Sequence, residues 1–495
     1  MVRFVSFLAA ALAAVAIACW LLGCAASLGP GYVVETQEIR VSFAAEPQPV
    51  IHVSAEYRLT NTGNQPLDSL DVRLPGRRFR PQAIEASWDG NTPVGSLPRE
   101  NPRDTRFRLP QPWKIGETHT LKFSYAIPAT HEISPGAAES EALGFASDAF
   151  FLPAEGWNPE LPPARGVFGF GGIPPKKWNL IVEVPAGFRV HASGEAANRP
   201  GKGENMRFRF VQTQHDFNPF VIAGRYRETR EDLAPDQKIR IWSRSQPDSA
   251  ALRQAAESVS KTVKAYDALF GPRGPSHLPI WIVECPSSVG CISVGSGYSL
   301  LLLGTVSNRY AALASRDTLL VDPRASASGL ETAVGPALAA GWLGYGQNPG
   351  FYEPQPPMSA LPAFAAALAR ETTSGPEAGS EIIARALAVI PENAAADSAA
   401  TPAVTRAKSL LLFYALRERV GPDALQKALQ HMLYARQSRD FEVADLISAV
   451  EQQSHQTVGP FVRQWLKRPG IPEEFRARHE ARRARQESSL EEALE

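Results

Sequence analysis

From Tyr32 to about Asp232 apolar and polar residues alternate along the chain. Ile51-His-Val-Ser-Ala-Glu-Tyr-Arg-Leu59 carries an apolar side chain at every second position, and Leu121-Lys-Phe-Ser-Tyr125 and Leu180-Ile-Val-Glu-Val184 follow the same rule. A period of two sends alternate side chains to opposite faces of a strand. Turn clusters such as Asn61-Thr-Gly-Asn64 and Asp89-Gly-Asn91 separate the runs. The pattern predicts an antiparallel β domain over 32–232, with one face packed and the other wet.

Past Lys238 the pattern mixes. Ile239 to Trp242 reads as a strand and Ala250 to Phe270 as an amphipathic helix stopped by Gly271-Pro272, with further strands at Leu278 to Val283 and Gly297 to Leu303. After Asp322 nearly everything reads as helix. Ala360 to Arg370 and Ser380 to Val389 are short helices, and 391–398 is a loop. Thr405 to Val420 is the longest amphipathic helix, ended by Gly421-Pro422. The divisions are therefore 32–232 (β), 233–395 (mixed α/β), 396–472 (helical) and 473–495. That last piece is rich in Arg, Glu and Ala with no apolar stripe, so it reads as a solvated helix or a frayed tail.

Composition bounds the function. A chain of 495 residues, 44% of them hydrophobic, can bury the cores of two or three domains. Lysine plus arginine equals aspartate plus glutamate at 51 each. A net charge of zero gives no electrostatic case for nucleic acid or for an anionic membrane surface. Residues 1–23 read as a targeting segment, with Arg3 followed by an apolar run from Phe4 to Leu22 broken only by Ser6. Its end, Leu21-Leu-Gly-Cys24, resembles a bacterial lipobox and implies lipidation of Cys24, with 24–31 as linker; Ala16-Ile-Ala-Cys19 is a poorer candidate. The alternative is an uncleaved anchor, because about 18 apolar residues can span a bilayer. Either way the body is exported and tethered to the cell envelope. Cys285 and Cys291 flank Pro-Ser-Ser-Val-Gly, and two readings stay open there: a local disulfide or two buried thiols.

The stretch Glu331-Thr-Ala-Val-Gly-Pro336-Ala337-Leu-Ala-Ala340-Gly-Trp342-Leu-Gly344 is a small-residue helix carrying a Trp. It resembles the zinc helix of the M1 aminopeptidase family, His-Glu-x-x-His-x-Trp-x-Gly. Trp342 and Gly344 fit that pattern, while Pro336, Ala337 and Ala340 stand where His, Glu and His belong. The closing block carries the resemblance further. Gly421-Pro-Asp-Ala-Leu-Gln-Lys-Ala-Leu429, Phe441 to Glu451 and Phe461 to Pro472 follow the family's helical ending in order and spacing. In the β domain the likeness is weaker, in Gly116-Glu117, Trp157-Asn-Pro159, Trp178 to Pro185 and Asn218 to Tyr226. The resemblance implies an α+β multidomain fold: an N-terminal antiparallel β domain, a thermolysin-like α/β region and a helical C-terminal part. It also places the third zinc ligand, a Glu in the family, at Ser359. The family's amine-binding Glu has no counterpart in Val289 to Gly297, and its transition-state Tyr has none between Tyr352 and Tyr414.

The missing residues decide the chemistry expected. Two His at i and i+4 hold one zinc ion with the Glu between them as general base, and catalytic zinc takes about three protein ligands. Side chains of Pro and Ala offer no lone pair. A shifted register does not restore the site, since no His lies between His277 and His431 and no Glu between Glu353 and Glu371. The expectation is a tethered M1-like protein without metal, cofactor or nucleic-acid partner, binding a peptide or protein in its inter-domain cleft. The alternative is a hydrolase using Cys291, Ser293 or Ser296 with His277 or His215 as base. Gly-Cys-Ile-Ser-Val-Gly is not the spacing of a nucleophile elbow. A metal site from Asp322, Glu331 and Glu353 has nothing to set its geometry. The glycines at 166, 169, 171 and 172 do not sit between strand and helix, so they read as a hairpin and not as a phosphate cradle.

Overall fold

The computed structural model describes residues 31–494 except 46, 76–78, 91, 98–104, 129–144, 147, 154–155, 162–172, 174, 198–204, 212–218, 235–236, 245–249, 272–278, 287–310, 316–317, 323–333, 336–337, 340–341, 343–355, 392–401 and 436–441. Cys24 and the rest of the targeting segment lie outside these residues. Among the described residues no helix is long and apolar enough to cross a membrane.

The alternating runs build an eight-stranded sheet. Its order is Glu195–Ala196, Asn205–Val211, Lys177–Pro185, Tyr32–Ala44, Val50–Asn61, Thr118–Pro128, Gln82–Trp88 and Thr92–Pro93. Period two is visible in the strand Val50–Asn61, where Ile51, Val53, Ala55, Tyr57 and Leu59 are buried while His52, Glu56 and Arg58 are exposed. One pairing departs from the antiparallel expectation: Tyr32–Ala44 runs parallel to Lys177–Pro185, with Thr36 opposite Lys177. Alternation sets which face is buried but not the direction of a partner strand, so it could not distinguish the two. A three-stranded sheet (Leu67–Val72, Thr105–Trp113, Ser96–Leu97) adds Leu70, Phe107 and Trp113 to the same core.

A four-stranded inner sheet joins the β domain to the rest. Its central strands, Ala149–Leu152 and Val221–Gly224, are buried at every position. Phe150, Leu152, Val221 and Ala223 face the core of the large sheet. Ala149, Phe151 and Ile222 face the other way, onto Trp242, Val283 and Leu320. Those three belong to a five-stranded sheet ordered Arg227–Ala234, Gln237–Ser243, Ile280–Glu284, Thr318–Val321 and Ala311–Ser315, whose middle three strands are parallel. The first of these strands falls in the stretch that the alternation assigns to the β domain, yet it pairs with Gln237–Ser243 in this sheet.

Helix α1 (Ala250–Phe270) connects two parallel neighbours of that sheet, as parallel pairing requires. Ile241, Ile282, Leu319 and Val321 meet the helices on the far face. These are α2 (Leu361–Ser374), α3 (Pro376–Val389), α4 (Pro402–Val420), α5 (Pro422–Ala435), α6 (Val443–Ser454), α7 (Gly459–Lys467) and α8 (Glu473–Leu494). Helix α4 is not amphipathic. Leu410, Leu411, Leu412 and Phe413 are four consecutive residues at 0% exposure, so the helix is wrapped on all sides by its neighbours. Nor is it the longest, at 19 residues against 21 for α1 and 22 for α8. Leu446 and Val450 of α6 are buried together, and the rings of Phe461 and Trp465 lie 5.8 Å apart on α7. The charged tail is helical, and α8 docks through Phe475, whose ring meets Trp465 edge-on at 5.4 Å.

Two contacts in this scaffold can be tested. A Cβ on Gly224 would lie 2.5 Å from the Cβ of Ala149 and 2.8 Å from the Tyr226 ring, inside the doubly buried sheet. Gly224→Ala should therefore destabilise by about 1–3 kcal/mol through overpacking; an unchanged thermal midpoint would show that the inner sheet is looser than described. Glu451 of α6 accepts the backbone N–H groups of Val458 and Gly459 at 2.9 and 2.8 Å, capping the start of α7. Those bonds, Gly459's first, hold its carboxyl below the usual glutamate range. A depressed folded-state pKa contributes stability above the unfolded value and loses it as pH falls through the folded one. Below about pH 4.3 the thermal midpoint of the wild type should thus fall more steeply than that of Glu451→Gln, as read by a pH series of melting curves.

Candidate functional site

Residues 334–335, 338–339 and 342 are helical and lie against the helix face of the five-stranded sheet. Val334, Leu338 and Ala339 are buried in the main apolar cluster, and Trp342 packs against it. Tyr266 of α1 fixes the stretch: its hydroxyl donates to the Gly335 carbonyl at 2.8 Å, and its ring lies 5.7 Å from Trp342. Burial holds the Tyr266 phenol well above the ordinary tyrosine pKa, so it remains a donor. A Cβ on Gly335 would already be in van der Waals contact with Ala366 of α2, at 3.5 Å. Small residues thus permit close approach here. Pro336, Ala337, Ala340 and Gly344 lie outside the described residues.

Ser359 sits in the turn Met358–Ala360 that leads into α2 and is 4% exposed, between two buried apolar neighbours. A zinc ion requires thiolate, imidazole or carboxylate donors. The only heteroatom Ser359 brings is a neutral hydroxyl in an apolar setting, and Val334, Leu338 and Ala339 bring no side-chain donors. These residues do not fit a zinc site. Among the described residues no group of three His, Cys, Asp or Glu could hold a metal ion.

Most of the other candidate residues are not among those described. Cys291, Ser293, Ser296, His277, His215, Glu331 and Glu353 lie outside the described residues, as do the glycines at 166–172. Cys285 is buried just after the strand Ile280–Glu284, where its backbone N–H donates to the Val321 carbonyl at 2.9 Å. Asp322 is buried at the end of the adjacent strand.

Two polar clusters escape a reading of the sequence. At the carboxyl ends of the parallel strands, the backbone N–H of Arg244 donates to the buried Glu284 carboxylate at 2.8 Å, and its guanidinium donates to Asp148 and to the Pro286 carbonyl. Tyr226 donates to the Glu284 carbonyl at 3.1 Å. Asp148 belongs to the inner sheet's end of this knot, so the cluster ties two sheets together. In the helical part, Tyr414 of α4 donates to Glu371 of α2 at 3.2 Å and Arg417 pairs with the same carboxylate. Burial, then Glu371's charge, holds the Tyr414 phenol well above its usual value. Tyr414 is thus committed to Glu371, three helical turns from Ser359. Both clusters join residues far apart in sequence, and no local spacing marks them.

No family model matches the chain, and no curated protein matches it. Solved structures do. A mutant of the M1 zinc metallopeptidase of Deinococcus radiodurans is similar with a TM-score of 0.57 at 16% identity, over 90% of this chain and 97% of that one. The unmutated enzyme gives 0.56 at 16% identity, over 90% and 96%. A two-domain M1 zinc metallopeptidase mutant bound to L-arginine gives 0.57 at 16% identity, over the same shares. The fold is M1-like. The likeness covers nine-tenths of this chain. At such low identity it concerns architecture alone.

The bond from Tyr266 to Gly335 is one polar link between α1 and the helical residues at 334–335. Tyr266→Phe should lower stability by about 1 kcal/mol while leaving the far-ultraviolet circular dichroism unchanged. A melting curve superimposable on the wild type would show that packing around Trp342 suffices without it.

Proposed function

We propose that this protein is an exported, membrane-tethered member of the M1-like fold that has given up zinc catalysis and serves as a peptide- or protein-binding module. One feature of the sequence supports the reading: in its resemblance to the M1 zinc helix, Pro336, Ala337, Ala340 and Ser359 fall where that family holds metal and base. The loss is coordinated, since the amine-binding Glu and the transition-state Tyr have no counterparts either. Loss of general acid–base help alone costs roughly 10²–10⁴ in rate. Loss of the metal removes the nucleophile, because zinc is what brings bound water to a pKa near about 7. The ligand surface is the cleft between the β domain, the helix around Pro336 and the closing helices, whose walls are kept by packing and not by chemistry.

Purified full-length protein should contain no stoichiometric zinc by elemental analysis and should not turn over aminoacyl-chromogenic substrates. Stoichiometric zinc with turnover would overturn the proposal, and turnover without zinc would favour the serine or cysteine alternative. Photo-crosslinking of bound peptides should map to the cleft; adducts confined to the opposite face would remove the assignment of the ligand surface.

A further inference from the structure

Among the described residues one large apolar side chain is left exposed: Ile115, at 54%. A lone exposed isoleucine is ordinary on a protein surface. Its address is what gives it weight. The first described residue is Gly31, whose carbonyl accepts the N–H groups of Thr62 and Gly63 at 2.9 and 2.6 Å, and Tyr32 pairs with Asn61. Asn61 in turn accepts the N–H of Gly116 at 2.8 Å and donates to the Glu117 carbonyl at 3.1 Å. The turn Lys114–Glu117 is therefore two strand spacings from Gly31, about 10 Å.

The turn is also rigid. The Glu117 N–H donates to the Lys114 carbonyl at 3.2 Å, the Lys114 N–H donates to the Glu117 carboxylate at 3.0 Å, and the buried Trp113 indole donates to the Glu117 carbonyl at 2.9 Å. Gly116 takes the left-handed φ of +79° that the reversal needs. Ile115 cannot fold back onto the core without breaking these bonds. Its neighbour Lys114 is largely exposed, and a lysine stem can lie along apolar surface while its ammonium stays in water.

Six residues lie between Cys24 and Gly31, and the seven Cα–Cα steps make a leash of at most about 25 Å when fully extended; an anchor ending at Leu22 would lengthen it by only a few ångström. A body held that closely presents the end carrying Gly31 to the bilayer, and Ile115 projects from that end. We propose that the Lys114–Glu117 turn is the lipid-contacting tip of this protein, seating Ile115 in the bilayer interface and so fixing how the body stands on the membrane. This rests on the tethered reading of the N-terminal segment.

The test uses the full chain in vesicles of phosphatidylethanolamine and phosphatidylglycerol, with the photo-crosslinker p-benzoylphenylalanine at position 115 or at position 52. His52 is equally solvent-facing but nine residues back along the strand Val50–Asn61, about 30 Å away. The expected result is co-flotation with the vesicles and about fivefold more phospholipid adduct from position 115 than from 52. Co-flotation with equal adduct at both positions, or more at 52, overturns the tip while leaving the tether standing. A chain that stays in the aqueous fraction overturns the tether, and the tip with it.

Discussion

A sheet with no wet face holds this molecule together. Ala149–Leu152 and Val221–Gly224 contribute one set of side chains to the core of the β domain and the other to the contact with Trp242, Val283 and Leu320. Period two makes this unavoidable: burying both faces of a strand couples the two cores through one backbone. A domain boundary placed in such a sheet is not a flexible linker. Sliding one core past the other would expose apolar surface on both sides at once, at roughly 25 cal/mol for each Å². The knot of Arg244, Asp148 and Glu284 lies at the rim of the same junction. Its hydrogen bonds are directional and add register to a contact that apolar packing alone would leave free to slip.

The helical part shows a related economy. The described residues between 334 and 342 are met by packing: the Tyr266 ring lies 5.7 Å from Trp342, and a Cβ on Gly335 would lie 3.5 Å from Ala366. Helix α4 is the strut, and the residues around it, Trp465 with its indole donating to the Lys408 carbonyl and Lys408 reaching back to the Leu466 carbonyl, form a reciprocal latch between α4 and α7. Burial, then the charge of Arg468, lowers the Lys408 pKa. That latch fixes α7 against α4 in both directions.

Legibility from the sequence followed the number of wet faces. The strands of the large sheet alternate because one face meets water, and Ile51 to Leu59 could be placed by inspection. Ala149-Phe-Phe-Leu152 and Val221-Ile-Ala-Gly224 do not alternate, because neither face does, and a short apolar run carries no phase from which to assign it. The same cause hid the true surroundings of α4, where Leu410 to Phe413 form an unbroken apolar run. The parallel partnership of Tyr32–Ala44 with Lys177–Pro185 left no mark at all, since strand direction is set by the path of the intervening chain. Positions 336, 337, 340 and 359 were singled out only through resemblance, and of these 359 alone is among the described residues. The clusters around Glu284 and Glu371 were not legible by any route, as each joins side chains that only the fold brings together.

The separation of architecture from chemistry has a physical basis. Metal-binding His and Glu side chains bring buried charge and unsatisfied polar atoms into a packed interior, at a cost in stability that function alone justifies. On the reading proposed here, replacing them by Pro and Ala removes that cost and leaves the packing around Val334, Leu338 and Trp342 to hold the helix in place. The chain shares an architecture over nine-tenths of its length with peptidases to which it is only 16% identical: contacts that define a fold are apolar and interchangeable in kind, whereas those that define a zinc site are neither.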